Sequence, residues 1–377
     1  MNTIDAAVVA KDYAALKTTF STGWDIVGVG EQRTLAAHFT VRSVADKNDF
    51  MVSSFSNDMI PVYKTVLNHL PLTPLENAAD TVLRKAIFDY LVEQAQDYSL
   101  AAEILAGTRM TDDGVYATAP AQKADLWISV AECFLADDAT TESDSAVSKA
   151  GICMESISKS DDASLKNLKL RYKTTYARVL DANRKFLNAG ILYYELSLQD
   201  AVAETLQLLE LAATCMVLAP PSGPRDRSLA VIVIDERLEQ LGALGTLVRK
   251  LQGHQVLVPT DPVLRAFEAT LQPHQKALTA DNYSVFQKCI LQHNLQAASH
   301  LYESIYLNHL ATKILGVTEE QTTALLDKQA NIQYTVDQVD GIIEFREVVE
   351  EKSDPVTEFC TLLNGVAADI QALSVSQ

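Results

Sequence analysis

"IQYTVDQVDGIIEF", residues 332–345, carries the clearest β-hairpin signal in a chain that otherwise follows helical periods. Apolar side chains alternate at Ile332, Tyr334 and Val336, and again at Ile343 and Phe345. Asp340-Gly341 lies between the two runs, and Asp-Gly favours a two-residue turn. Such a turn predicts Val336 opposite Phe345 and Gln338 opposite Ile343. With a side-chain period of two, Tyr334, Val336, Ile343 and Phe345 share one apolar face. Thr335, Asp337 and Glu344 share the other.

The segments just before the hairpin give it a context. "YSVFQKCILQHNLQAASHLY" (283–302) reads as a helix with Phe286, Cys289, His293 and Ala297 along one face. "LYESIY" (301–306) is a short extended link, and "LNHLATKILGV" (307–317) a short helix ended by Gly316. "TEEQTTALLDKQANI" (318–332) opens with Thr318 as N-cap, acidic residues in its first turn, and Gln321 at the third helical position, a capping box. Helix, short strand, helix, helix and two-stranded wing is the order of a winged-helix domain. The hairpin is then the wing, and its apolar face covers the helices behind it.

Further upstream the periodicity is helical. In "LKNLKLRYKTTYARVLDANRKFLNAGILYYELS" (165–197), Leu165, Leu168, Tyr172, Tyr176 and Val179 form one stripe, and a second helix starts near Phe186 after a polar turn. "IFDYLVEQAQDYSLAAEILAG" (87–107) and "ADLWISVAECFLADDATTESDSAVSKAGI" (124–152) read as two more helical pairs. Each second helix carries a small residue early, at Ala101, Ala146 and Ala189, at intervals of 45 and 43 residues. Small residues at matched positions let paired helices approach closely, so this spacing predicts an all-α solenoid of TPR- or HEAT-like pairs rather than an irregular bundle. Residues 107–120, 219–228 and 254–264 read as loops from their Pro, Gly and Asp content. "SLAVIVIDER" (228–237) is rich in β-branched residues but shows no alternation, and is read as a buried helix.

The 377 residues carry 31 Lys and Arg against 49 Asp and Glu, a formal charge of −18. An acidic chain repels nucleic acid and anionic membrane, and its natural partners are other proteins. The predicted recognition helix sets Glu319, Glu320 and Asp327 against Lys328, and the wing adds Asp337, Asp340 and Glu344. That surface repels phosphate and offers no Arg to a guanine edge, which argues against a DNA-binding regulator. The first residues carry Asp5 and no basic segment, so no secretory signal is expected. No uncharged run reaches the length of a membrane span. The cysteines at 133, 153, 215, 289 and 360 are widely spaced, which fits reduced thiols in cytoplasm or nucleus.

Enzyme chemistry has little support. The seven histidines, at 38, 69, 254, 274, 293, 300 and 309, form neither His-x-His nor His-Glu-x-x-His, and no metal or other cofactor is expected. Cys289 and His293 stand four apart on one helix face, so a thiol–imidazole pair is conceivable, but the favoured reading is that both line the helix's packed face. His274 and Lys276 in "PHQKALTAD" form either a polar site or a turn into the next helix.

After the wing, "DPVTEFCTLLNGVAADIQALSVSQ" (354–377) predicts a helix that starts at Asp354-Pro355. Val356, Phe359, Leu363, Val366, Ile370 and Leu373 recur at three- and four-residue spacings, a narrow seam suited to a helix bundle. Left in water, six such side chains would forgo on the order of 10 kcal/mol of burial.

"YARVLDANRKFLNAGILYYELS" (176–197), "DERLEQLGALGTLVRK" (235–250), "LQPHQKALTADNYSVFQKCILQHNLQAASHLYESI" (271–305) and "VDQVDGIIEF" (336–345) resemble, in order and spacing, PCI-domain subunits of the COP9 signalosome. "PHQKALTAD" followed by "HNLQAASHLY" is the most specific part. The resemblance implies helical repeats over 1–192, a PCI domain over 193–348 with its winged helix at 282–348, and a C-terminal bundling helix over 349–377. It implies a non-catalytic scaffold of cytoplasm and nucleus that supports cullin deneddylation and engages cullin-RING ubiquitin ligases. Its partners would be other signalosome subunits, through winged-helix edge pairing and the C-terminal bundle. Thr335 and Asp337 on the edge, and the six apolar residues of the C-terminal seam, are the interface candidates. Related PCI scaffolds serve the proteasome lid and a translation initiation complex.

Overall fold

The computed structural model describes residues 80–346, apart from 82–83, 86, 109, 111–117, 159–164, 200–203, 259–260, 280–282, 330–331 and 338. The expected helix at 349–377, with Val356, Phe359, Leu363, Val366, Ile370 and Leu373, lies outside the described residues. The chain divides into two compact units between Met216 and Val217.

The first unit is built of helical pairs. A helix ending in a π-helical turn at Leu91–Ala95 leads to α1 (Tyr98–Ala106). Then come α2 (Pro120–Ala136) with α3 (Thr140–Ser158), and α4 (Lys166–Ala182) with α5 (Phe186–Ser197). Helix α6 (Thr205–Leu218) follows. From α1 to α5 each helix packs on its sequence neighbours, with α4 touching both α2 and α3, as a solenoid requires. Ala101, Ala146 and Ala189 are all buried, and the stripe from Leu165 to Val179 meets two apolar clusters, one around Met154 and one around Val130. At Gly190 a Cβ would come within 2.9 Å of Met216 Cε and 3.2 Å of Ala212 O, so α5 and α6 approach closely there and a larger residue would require Met216 to shift.

The turns inside the pairs share one device. Gln96, Asp138 and Arg184 each take a left-handed φ, between 54° and 59°, that ordinarily favours glycine. Behind Asp138 and Arg184 the next amide reaches back five residues, from Ala139 N to Phe134 O at 2.9 Å and from Lys185 N to Leu180 O at 2.8 Å. This is a Schellman closure, which satisfies carbonyls left open at the helix end.

The second unit holds α7 (Gly223–Ile234), a 3₁₀ turn at Glu236–Leu241, α8 (Ala243–Gln252), α9 (Pro262–Thr270) and α10 (Val285–Leu301). The expected loop at 219–228 is shorter than its composition implies. Ser222 caps α7 by accepting from Arg225 N, and Pro224 fits the first turn, where no amide is needed. The β-branched run 228–234 is helical, as read, but only half-buried: Val231 is 50% and Ile234 81% exposed.

After α10 come β1 (Ser304–Tyr306), α11 (Leu307–His309) continued by a π-helical stretch Leu310–Leu315, α12 (Glu319–Asp327), β2 (Gln333–Asp337) and β3 (Ile342–Arg346). The three strands form an antiparallel sheet in the order β1-β3-β2, the winged-helix arrangement. Thr318 and Gln321 make the predicted capping box, and Gly316 ends the π-helical stretch at φ 69°. Tyr334, Val336 and Phe345 pack with Ile343 and Ile305 over Leu295, Leu310, Ile314 and Leu325.

The hairpin register differs from the predicted one. Val336 pairs with Ile343 and Tyr334 with Phe345, a shift of two residues. The connection spans 338–341, because Asp337 captures the turn: its carboxylate accepts from Val339 N at 2.8 Å and Asp340 N at 3.3 Å. Its carbonyl accepts from Gly341 N at 2.9 Å, with Gly341 at φ 66°. A four-residue connection closed by a left-handed glycine replaces the two-residue turn. An even shift leaves every side chain on its predicted face.

One buried side chain ties the second unit together. Asn294 on α10 accepts from Leu257 N and donates to Leu257 O, both at 2.8 Å, and reaches Ile314 O at 3.4 Å. Its neighbour His293 shares a hydrogen bond with Gln255 O at 3.0 Å. Asn294→Leu would strand the amide and carbonyl of Leu257 without partners. We expect it to lower stability by about 2–6 kcal/mol in a denaturant titration, since each of the two buried unsatisfied groups costs about 1–3 kcal/mol.

Candidate functional site

The surface most available for function is the winged helix. At the N-terminus of α12, Glu319 and Glu320 stand exposed beside the open amides, where a helix dipole favours negative charge. At its other end Asp327 accepts from the Tyr334 hydroxyl of β2, which pushes that phenol up to about 12. Helix and wing are thus joined through a carboxylate. Asp337, Asp340 and Glu344 are exposed on the wing, as expected from the sequence.

The two edges of the sheet can be assigned from its hydrogen bonds. Phe345 N donates to Glu303 O at 2.8 Å, and Leu307 N to Gly341 O at 2.8 Å. The backbone groups of 341, 343 and 345 therefore point at β1, and those of 342, 344 and 346 at β2. By the same alternation Gln333, Thr335 and Asp337 face β3. The outward groups of β2 belong to Tyr334 and Val336, and those of β1 to Ser304 and Tyr306. Thr335 and Asp337 lie on the edge strand, but their main-chain groups are turned into the hairpin.

The thiol–imidazole pair does not exist as a pair. Cys289 is buried and its thiol donates to Leu218 O at 2.7 Å. Burial pushes it up to about 12, with Arg225 and Lys288 opposing. His293, 1% exposed, binds Gln255 O and stacks on His254, with ring centroids 6.4 Å apart. Burial holds it down at about 4; Arg225 and His254 add to this, and the Gln255 bond opposes it. A thiol held protonated and an imidazole held neutral, each bound to a carbonyl, are packing groups. His274 and Lys276 belong to a turn. Gln275 accepts from Gln272 N at 3.1 Å, and Thr279 N donates to Tyr283 O at 2.8 Å ahead of the Ser284 cap of α10. Among the described residues no three His, Cys, Asp or Glu gather as a metal site, and no helix is long and apolar enough to cross a membrane.

Helical pairs followed by an acidic winged helix define a PCI-type protein. No protein-family model matches the chain. It is 31% identical over 315 residues to COP9 signalosome complex subunit 4 of Neurospora crassa, covering 81% of this chain and 70% of that protein. It is 30% identical over 309 residues to the Emericella nidulans subunit 4, with 79% and 73% covered. The Arabidopsis thaliana subunit 4 is 31% identical over 291 residues, with 73% and 70% covered. The chain belongs to the COP9 signalosome subunit 4 family.

Two outcomes follow from this chemistry. Cys289 should resist alkylation by iodoacetamide in the folded chain and react only after denaturation; labelling under native conditions would contradict the thiol environment described here. His293 binds its proton below the ordinary histidine value, about 6.5, so the unfolded chain protonates first as pH falls. Its contribution is fully present above pH 6.5 and is lost towards pH 4, on the order of 3 kcal/mol. His293→Gln, which keeps a donor for Gln255 O, should flatten the melting temperature across that window relative to wild type.

Proposed function

We propose that this chain is a non-catalytic scaffold subunit of the COP9 signalosome. It supports cullin deneddylation through protein contacts, in cytoplasm and nucleus, while the complex's metalloprotease does the chemistry. The observation that carries this reading is the identity of about a third along four fifths of the chain to subunit 4 proteins, together with an acidic wing unsuited to phosphate. In this reading the helical repeats (1–192) reach towards cullin-RING ligases. The PCI domain (193–348) pairs edge to edge with neighbouring subunits, and the last helix (349–377) enters a shared bundle. Edge pairing draws on unpaired main-chain groups, a template for a partner's strand.

The chain purified at native level should bring down other signalosome subunits, identified by mass spectrometry, and cleave modified cullin only in their company. Co-purification with proteasome-lid or initiation-complex subunits would replace the assignment with those relatives. Cleavage by the lone chain would overturn the scaffold reading.

Edge pairing has its own test. Val336→Pro removes an outward amide and should weaken assembly about tenfold or more, beyond the effect of Val336→Ala, with helical content unchanged. Thr335→Pro or Asp337→Pro instead breaks the hairpin's own ladder, so those variants should lose assembly and wing stability together.

A further inference from the structure

The winged-helix sheet has an outer face that the edge-pairing reading leaves unused. Its register places Tyr306, Ile342 and Asp337 side by side across the three strands, on the side turned away from the helical core. Tyr306 is 62% exposed and Ile342 is half-exposed. At the tip of the same sheet Val339 is 93% exposed. A lone exposed valine on a loose loop would mean little. This one is held in place: its own amide donates to Asp337, Gly341 N donates to Asp337 O, and Gly341 O accepts from Leu307 N. The tip is preorganised to present an apolar knob at the end of that sheet, which lowers the ordering cost of a contact.

The ring around this apolar centre decides what covers it. Asp337, Asp340 and Glu344 are all exposed. Three carboxylates repel nucleic acid and anionic lipid, and a second copy of this chain would bring the same charges against them. The complementary occupant is a protein segment with lysine or arginine around one or two apolar side chains. We infer that the outer face of the wing sheet, with Val339 at its tip, is a docking surface for such a basic segment of another subunit in the same assembly. This rests on the scaffold reading above and adds a second contact, made by side chains on the face rather than by main chain at the edge. Such a contact pairs an apolar anchor with a charged rim, the usual anatomy of a specific interface.

The test uses the full chain within its purified complex. A carbodiimide joins carboxylates to amines in direct contact, with no spacer. Peptide mass spectrometry should find Asp340 and Glu344 joined to lysines of another subunit. In a chain carrying Val339→Asp with Tyr306→Ser, the yield of those cross-links should fall about tenfold or more. Subunit composition should be unchanged, because the edges are intact, and circular dichroism of the variant should match wild type. Cross-links confined to this chain, no cross-links at all, or an undiminished yield in the double variant would each overturn the inference while leaving the scaffold reading in place. Failure of wild-type chain to co-purify with any other subunit would overturn the scaffold reading, and the inference with it.

Discussion

The second unit depends on an asparagine that has no access to water. Asn294 is 1% exposed, and its amide meets both main-chain groups of Leu257 and a carbonyl of the π-helical stretch. A carboxamide carries its donor and its acceptor on separate atoms side by side, so one residue satisfies an extended segment that no strand or helix does. The winged-helix core then assembles around α10: Leu291, Leu295 and Ala298 pack on one side while Asn294 and His293 pin residues 255–257 on another. Without that pin, the segment between α8 and α9 would carry unpaired polar groups against an apolar helix, which folding does not tolerate.

The same economy governs charge. The unit buries Arg225 almost completely and keeps Cys289 and His293 uncharged beneath it, while the carboxylates of α12 and the wing stay in water. Burial acts against charge throughout the core, and screening by solvent keeps the acidic surface affordable. The result is a domain whose interior is chemically quiet and whose exterior selects partners by sign.

The elements set by local chemistry were legible in the sequence. The capping box at Thr318, the stop at Gly316, the buried row Phe286, Cys289, His293 and Ala297, and the start of α5 at Phe186 all follow from short-range patterns. What escaped depends on competition or on distance. Asp337 outbids the Asp-Gly turn because its carboxylate can satisfy two turn amides, a choice composition does not reveal. Ser222 was hidden among prolines that looked like loop. Asn294 lies 37 residues from Leu257, and no local pattern in the sequence singles it out. The direction of the edge amides follows from the pairing of β1 with β3, which no reading of the hairpin alone contains.

The four-residue wing connection has a consequence for how such a domain changes over generations. Moving the strands by two residues left Tyr334, Val336, Ile343 and Phe345 facing inward, because the pleat repeats every second residue. A gain or loss of one residue within a strand would turn the inner row outward and present the acidic row to the core. Lengthening or shortening by pairs keeps the sorting of sides and alters only the reach of the tip. The wing is thus a ruler with a two-residue graduation: its protrusion can drift in even steps while the domain beneath it stays the same.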